Sequence, residues 1–115
     1  MATSMVTGGT SGIGREFVTQ LAARGDDIVI VARDTERMAA IKADVEARYG
    51  VSVETIAADL SRREDVDQIT TRVEDPNHPV DLLVNNAGFG LKGRFADLAA
   101  DEQFAMVELN VVALT

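Results

Sequence analysis

Short apolar runs alternate with longer stretches in which apolar residues recur every three or four positions. Met5-Val6 leads into a glycine turn and predicts a first strand. Ile13, Phe17, Val18 and Leu21 then recur at helical spacing up to Arg24, with Gly25 as the stop. The run DIVIVA (27–32) is continuous and β-branched, as in a strand covered on both faces of a parallel sheet. Asp34 is placed to cap a second helix on Met38, Ile41, Val45 and Tyr49, ended by Gly50. VSVETIAA (51–58) predicts a third strand, and SRRE (61–64) matches a capping box opening a third helix on Val66, Ile69 and Val73. The prolines of EDPNHP (74–79) break that pattern before VDLLV (80–84), a fourth strand that ends at NNAGFG (85–90). A last helix is expected from about Ala100, with Phe104, Val107, Val111 and Leu114 on one face.

This order is β-α-β-α-β-α-β-α, and helix-connected strands of this kind form right-handed parallel crossovers. The expected fold class is therefore α/β: an open, doubly wound parallel sheet in one domain spanning 1–115, since 115 residues suffice for one small domain and not for two.

Composition narrows the partners. The chain is 46% hydrophobic and 26% charged, ordinary for a globular protein, and carries a formal net charge of −8. That charge, with the basic residues scattered, argues against a nucleic-acid partner. Without cysteine there is no disulfide, thiolate metal site or cysteine nucleophile, and no metal site is expected. MATSMVTGG has neither a basic nor an apolar leader region, and no apolar run approaches the ~18 residues that span a bilayer. The expectation is a cytoplasmic protein with no membrane partner.

The chemistry concentrates in TGGTSGIG (7–14), which joins the first strand to the first helix. At this junction of a doubly wound sheet, a helix N-terminus directs free N–H groups at an anion, usually a pyrophosphate. Gly8 suits a tight turn, Gly12 admits close backbone approach, and Gly14 allows close helix–strand packing. Thr10 and Ser11 add hydroxyls for phosphate or ribose. The G-x-G-x-x-G spacing fails, because position 17 is Phe. A P-loop fails too, because Arg15 and Glu16 stand where Lys and Ser/Thr are required.

TGGTSGIG resembles the TGxxxGxG motif of the short-chain dehydrogenase/reductase family, through Thr7, Gly8, Gly12 and Gly14, and NNAG at Asn85–Gly88 strengthens the likeness. The resemblance covers the whole chain and implies a Rossmann-like sheet whose first four strands run in the order 3-2-1-4. It implies hydride transfer between a nicotinamide cofactor and a carbonyl or alcohol substrate. It places Gly8, Thr10, Ser11, Gly12, Ile13 and Gly14 at the pyrophosphate, Asp59 and Leu60 beside the adenine, and Asn86, Ala87 and Gly88 along the cofactor cleft. It makes Asn110 a catalytic asparagine supporting a proton relay. A homodimer or homotetramer is implied as well, through the last helix.

A carboxylate at the end of the second strand selects NAD, and a basic group there accommodates the 2′-phosphate of NADP. The family's acidic position falls on Ala32, followed by Arg33, whose planar guanidinium suits a phosphate. Asp34 reads better as a helix cap than as a ribose ligand. NADP(H) is therefore expected over NAD(H). The family's acid–base is a Tyr with a Lys four residues on. Here the one tyrosine, Tyr49, precedes Val53 at that spacing and belongs to an apolar helix stripe. His78 is a lone loop histidine with no catalytic role expected. The chain thus reads as the cofactor-binding part of a longer enzyme, interrupted within the helix after the fourth strand, inactive alone and marginally stable because that strand would be a bare edge. The alternatives are a dinucleotide-binding protein without catalysis and, less well supported, an adenosylmethionine-dependent methyltransferase, which leaves NNAG unexplained.

Overall fold

The computed structural model describes residues 2–10, 12–86 and the backbone of 105–108. Their strands are β1 (Thr3–Thr7), β2 (Asp27–Ala32), β3 (Val53–Ala57), β4 (Leu82–Asn85) and β5 (Ala105–Glu108); their helices are α1 (Gly12–Ala23), α2 (Thr35–Tyr49) and α3 (Arg63–Val73). The strands form one parallel sheet in the order β3-β2-β1-β4-β5. The predicted α/β class and the 3-2-1-4 order are both present.

Strand alternation divides the core between two faces. Met5, Val29, Val31, Ile56 and Leu83 pack against Val66, Ile69 and Val73 of α3. Val6, Ile28, Ile30 and Val84 point the other way, against Val18 and Leu21 of α1 and Met38, Ile41 and Val45 of α2. Successive residues of β1 and β2 thus enter opposite layers, which is why DIVIVA has no polar alternation. Tyr49 packs against the α1/α2 layer, as its place in the stripe predicts.

The second helix ends as read. The Asp34 carboxylate accepts the Arg37 N–H at 3.0 Å, and Gly50, at φ 70°, donates its N–H to the Glu46 carbonyl at 3.0 Å.

Two local readings are corrected. Ser61 does not cap α3: the helix begins after Arg62, which makes no side-chain cap bond. The Ser61 hydroxyl and N–H both donate to Asp59 Oδ1, at 2.6 and 3.0 Å, while Asp65 Oδ2 accepts the Asp59 N–H at 2.7 Å. The Ser61 N–H that a capping box would give to Glu64 is given to the Asp59 carboxylate, which turns Ser61 back on the strand end and leaves Arg62 at the start of the helix. The second correction concerns the last predicted helix, which is a strand over Ala105–Glu108, paired with β4 in the register Leu82↔Ala105 to Asn85↔Glu108. Helical spacing is a local signal, and here the unpaired N–H and C=O groups along β4 outweigh it. β4 is therefore not the bare edge expected. Phe104, Val111 and Leu114 lie outside the described residues.

Candidate dinucleotide site

β1 runs between β2 and β4, so the turn after it emerges where strand order reverses. Thr7 and Asn85 are register partners at the ends of β1 and β4, and both are fully buried. Thr7 Oγ1 donates to Asn85 Oδ1 at 3.1 Å and accepts the Asn86 N–H at 3.0 Å. The Gly8 N–H reaches across to the Val31 carbonyl at 2.8 Å. The start of the turn is thereby fixed to both neighbouring strands.

Gly8, Gly14 and Asn86, far apart in sequence, meet here. Asn86 Nδ2 donates to the Gly8 carbonyl at 3.4 Å. A Cβ on Gly14 would stand 2.2 Å from that same carbonyl oxygen and 3.0 Å from Asn86 Nδ2. Gly14 is thus required by the turn it faces, a closer constraint than the helix–strand packing expected of it. Gly12 differs: it sits at φ 58°, and a Cβ there would meet nothing within 4 Å. No acidic side chain occupies the first turn of α1. The opening beside Gly12 and the N-terminus of α1 accordingly offer N–H groups to an anion without a competing carboxylate. Asn86 Oδ1 is buried without a hydrogen-bond partner among the described residues, an acceptor left for a ligand donor. The free N–H groups fit a dinucleotide phosphate, and the Asn86 Oδ1 fits a donor such as a ribose hydroxyl or an amide of the same ligand.

Thr10 is half-buried in the turn, and Ile13 is exposed at the start of α1 (41%), the large apolar residue left uncovered at this end. Arg33 is exposed just beyond β2 and makes no ion pair among the described residues. Asp59 follows β3, with its carboxyl held below the usual carboxylate range, first by the Ser61 hydroxyl and N–H and then by the charges of Arg33 and Arg62. Leu60 is half-buried against the α3 layer, so part of its side chain serves the core. Ser11, Ala87, Gly88 and Asn110 lie outside the described residues.

Two contributors escaped the sequence reading. Thr7 holds the segment that carries Asn86, a role its place in the motif does not state; the available signal was a hydroxyl residue at the end of a fully buried strand. Gly9 was assigned nothing, yet its Cβ would lie 3.0 Å from Ile30 Cγ2 and 3.3 Å from Val18 Cγ2, so it sets how closely the turn lies on the core. Among the described residues no cluster of three or more metal-ligating side chains occurs, and no helix is long and apolar enough to cross a membrane.

Comparison with known proteins agrees with this geometry. A very-long-chain 3-oxoacyl-CoA reductase from Debaryomyces hansenii is 39% identical over 85 residues, covering 74% of this chain and 25% of that protein. One from Laccaria bicolor is 36% identical over 114 residues, covering 97% of this chain and 34% of that protein. The chain thus spans between 25% and 34% of the length of these two curated relatives. Among solved structures, a short-chain dehydrogenase from Sphingobium yanoikuyae in complex with NADPH superposes with a TM-score of 0.82 at 28% identity, covering 94% of this chain and 52% of that one. L-sorbose reductase from Gluconobacter frateurii, complexed with NADPH and L-sorbose, gives 0.69 at 34% identity, covering 76% of this chain and 34% of that one. The family model described as short chain dehydrogenase matches residues 2–115. With that match, and with the glycine turn locked to Asn86 at the reversal of strand order, the chain belongs to the short chain dehydrogenase family of oxidoreductases.

Proposed function

We propose that this chain is the cofactor-binding part of an NADP(H)-dependent oxidoreductase that interconverts a carbonyl and an alcohol. One observation carries the choice of cofactor: Asp34 is engaged by the Arg37 N–H, while Arg33 beside it has no ion-pair partner among the described residues. The acid nearest the ribose position is committed to a helix end, and the neighbouring guanidinium suits a 2′-phosphate. The NADPH found in the Sphingobium and Gluconobacter structures supports the same reading, and the reductase names of the curated relatives support the reaction class.

On this reading Gly8, Thr10, Ser11, Gly12, Ile13 and Gly14 hold the pyrophosphate, with Arg33 at the 2′-phosphate. Asp59 and Leu60 flank the adenine, and Asn86, Ala87 and Gly88 line the cleft. Asn110 supports proton movement. When bound, the nicotinamide supplies or accepts the hydride. Within these 115 residues the single tyrosine, Tyr49, packs half-buried against the α1/α2 layer and no Tyr-x-x-x-Lys occurs, so the chain alone binds without turnover. Assembly as a homodimer or homotetramer belongs to the whole protein.

Fluorescence titration with NADPH and NADH tests this reading. NADPH is expected to bind about tenfold more tightly, with Arg33→Ala removing most of the difference. Equal affinities in the unaltered protein would overturn the NADP assignment.

A further inference from the structure

An arginine follows each of the adjacent strands β2 and β3. Arg33 directly follows β2, and the Ala58 N–H donates to the Ala32 carbonyl at 3.0 Å, tying the two strand ends together. Arg62 stands three residues past Asp59 and folds back on it, its N–H donating to the Asp59 carbonyl at 2.9 Å. Its backbone is extended, at φ −102° and ψ 131°, and its side chain is 64% exposed. Among the described residues its ion-pair contact is a loose one, Nε to Glu64 Oε2 at 3.8 Å. Asp59, between the two arginines, spends Oδ1 on the Ser61 hydroxyl and N–H. Among the described residues Arg33 thus has no ion-pair partner and Arg62 has the long contact to Glu64.

We propose that Arg62 is a second specificity-determining residue for the 2′-phosphate, acting with Arg33 from the opposite loop. This rests on the NADP reading above. A phosphate dianion offers three acceptor oxygens, more than one guanidinium fork satisfies, and a second fork from the β3–α3 loop meets the remainder. The charges of both arginines help hold the Asp59 carboxyl below its ordinary range, in keeping with their place on loops that follow adjacent strands. Asp59 by itself would repel a dianion. Arg62 offsets that repulsion, while Glu64 competes for Arg62.

Isothermal titration of the purified protein with adenosine 2′,5′-bisphosphate and with 5′-AMP separates the two arginines. Arg62→Met is expected to weaken the bisphosphate about fivefold and 5′-AMP less than about twofold, a modest effect because the site is solvent-exposed. Glu64→Gln, which removes the competing charge, is expected to strengthen the bisphosphate alone. Circular dichroism melts of each variant report whether the fold is intact. If Arg62→Met leaves the ratio of the two affinities unchanged while Arg33→Ala collapses it, the role of Arg62 is overturned and the NADP reading stands. If the unaltered protein binds the two nucleotides equally, or binds neither, both fall together.

Discussion

Two glycines of one turn answer to different constraints. Gly14 has no room for a side chain, since its Cβ would sit 2.2 Å from the backbone oxygen of Gly8. Gly12 has open space around it and is held by its φ of 58°. Gly14→Ala is therefore expected to cost about 3 kcal/mol, through backbone displacement in the overpacked turn. Gly12→Ala costs only about 1 kcal/mol of left-handed strain but fills the approach to the α1 N-terminus. Thermal melts paired with NADPH titration check this: Gly14→Ala lowers the midpoint most, whereas Gly12→Ala loses binding while remaining folded. A Gly14→Ala variant as stable as the parent would mean that the Gly8–Gly14 approach is not as close as described.

Side chains at the ends of the elements fix where those elements begin and stop. Asp34 caps α2, so Asp34→Ala is expected to lower stability by about 1 kcal/mol. The NADPH-to-NADH affinity ratio should stay where it was. A shift in that ratio would show that Asp34 reaches the ribose after all. At the other end of α2, Glu46 Oε2 accepts the Val53 N–H at 2.9 Å and Lys42 Nζ donates to the Val53 carbonyl at 2.8 Å. β3 is the outer strand on this side, and Val53 turns these two groups away from β2, so α2 closes the start of that edge to another strand.

Across the whole molecule, the end of the sheet away from the glycine turn is held by a buried carboxylate. Asp26, 5% exposed, accepts the Ser4 hydroxyl at 2.9 Å and pairs with Arg24, whose Nε donates to Oδ1 at 3.2 Å. The Arg24 hydrogen bond, with a smaller one from Ser4, holds the Asp26 carboxyl below its ordinary range against the opposing effect of burial. A depressed folded-state pKa means stability that is fully present above the unfolded value, about 4. That stability is lost as pH falls from there through the lower folded value. Asp26→Asn should therefore lower stability at neutral pH and flatten the acid limb of a stability–pH curve below about pH 4. Urea melts between neutral pH and pH 2 measure this, and an unchanged acid limb in the variant would assign the acid sensitivity to other carboxylates.

By itself the sequence determined the alternation of strands and helices, the two-sided burial of DIVIVA, the α2 caps at Asp34 and Gly50, and the place of the glycine turn. All of these rest on neighbours within a few residues, where spacing and backbone preference are written directly in the chain. Only the tertiary structure decided that Gly14 faces the Gly8 carbonyl, that Thr7 holds the segment bearing Asn86, and that Ser61 turns to Asp59 instead of capping α3. It also decided that Ala105–Glu108 pairs with β4 as a strand. Each of these depends on which acceptor, donor or strand edge lies across a contact between chain segments. Periodicity cannot register such competition, because partners such as Thr7 and Asn86 are distant in the chain and become neighbours only when the sheet forms.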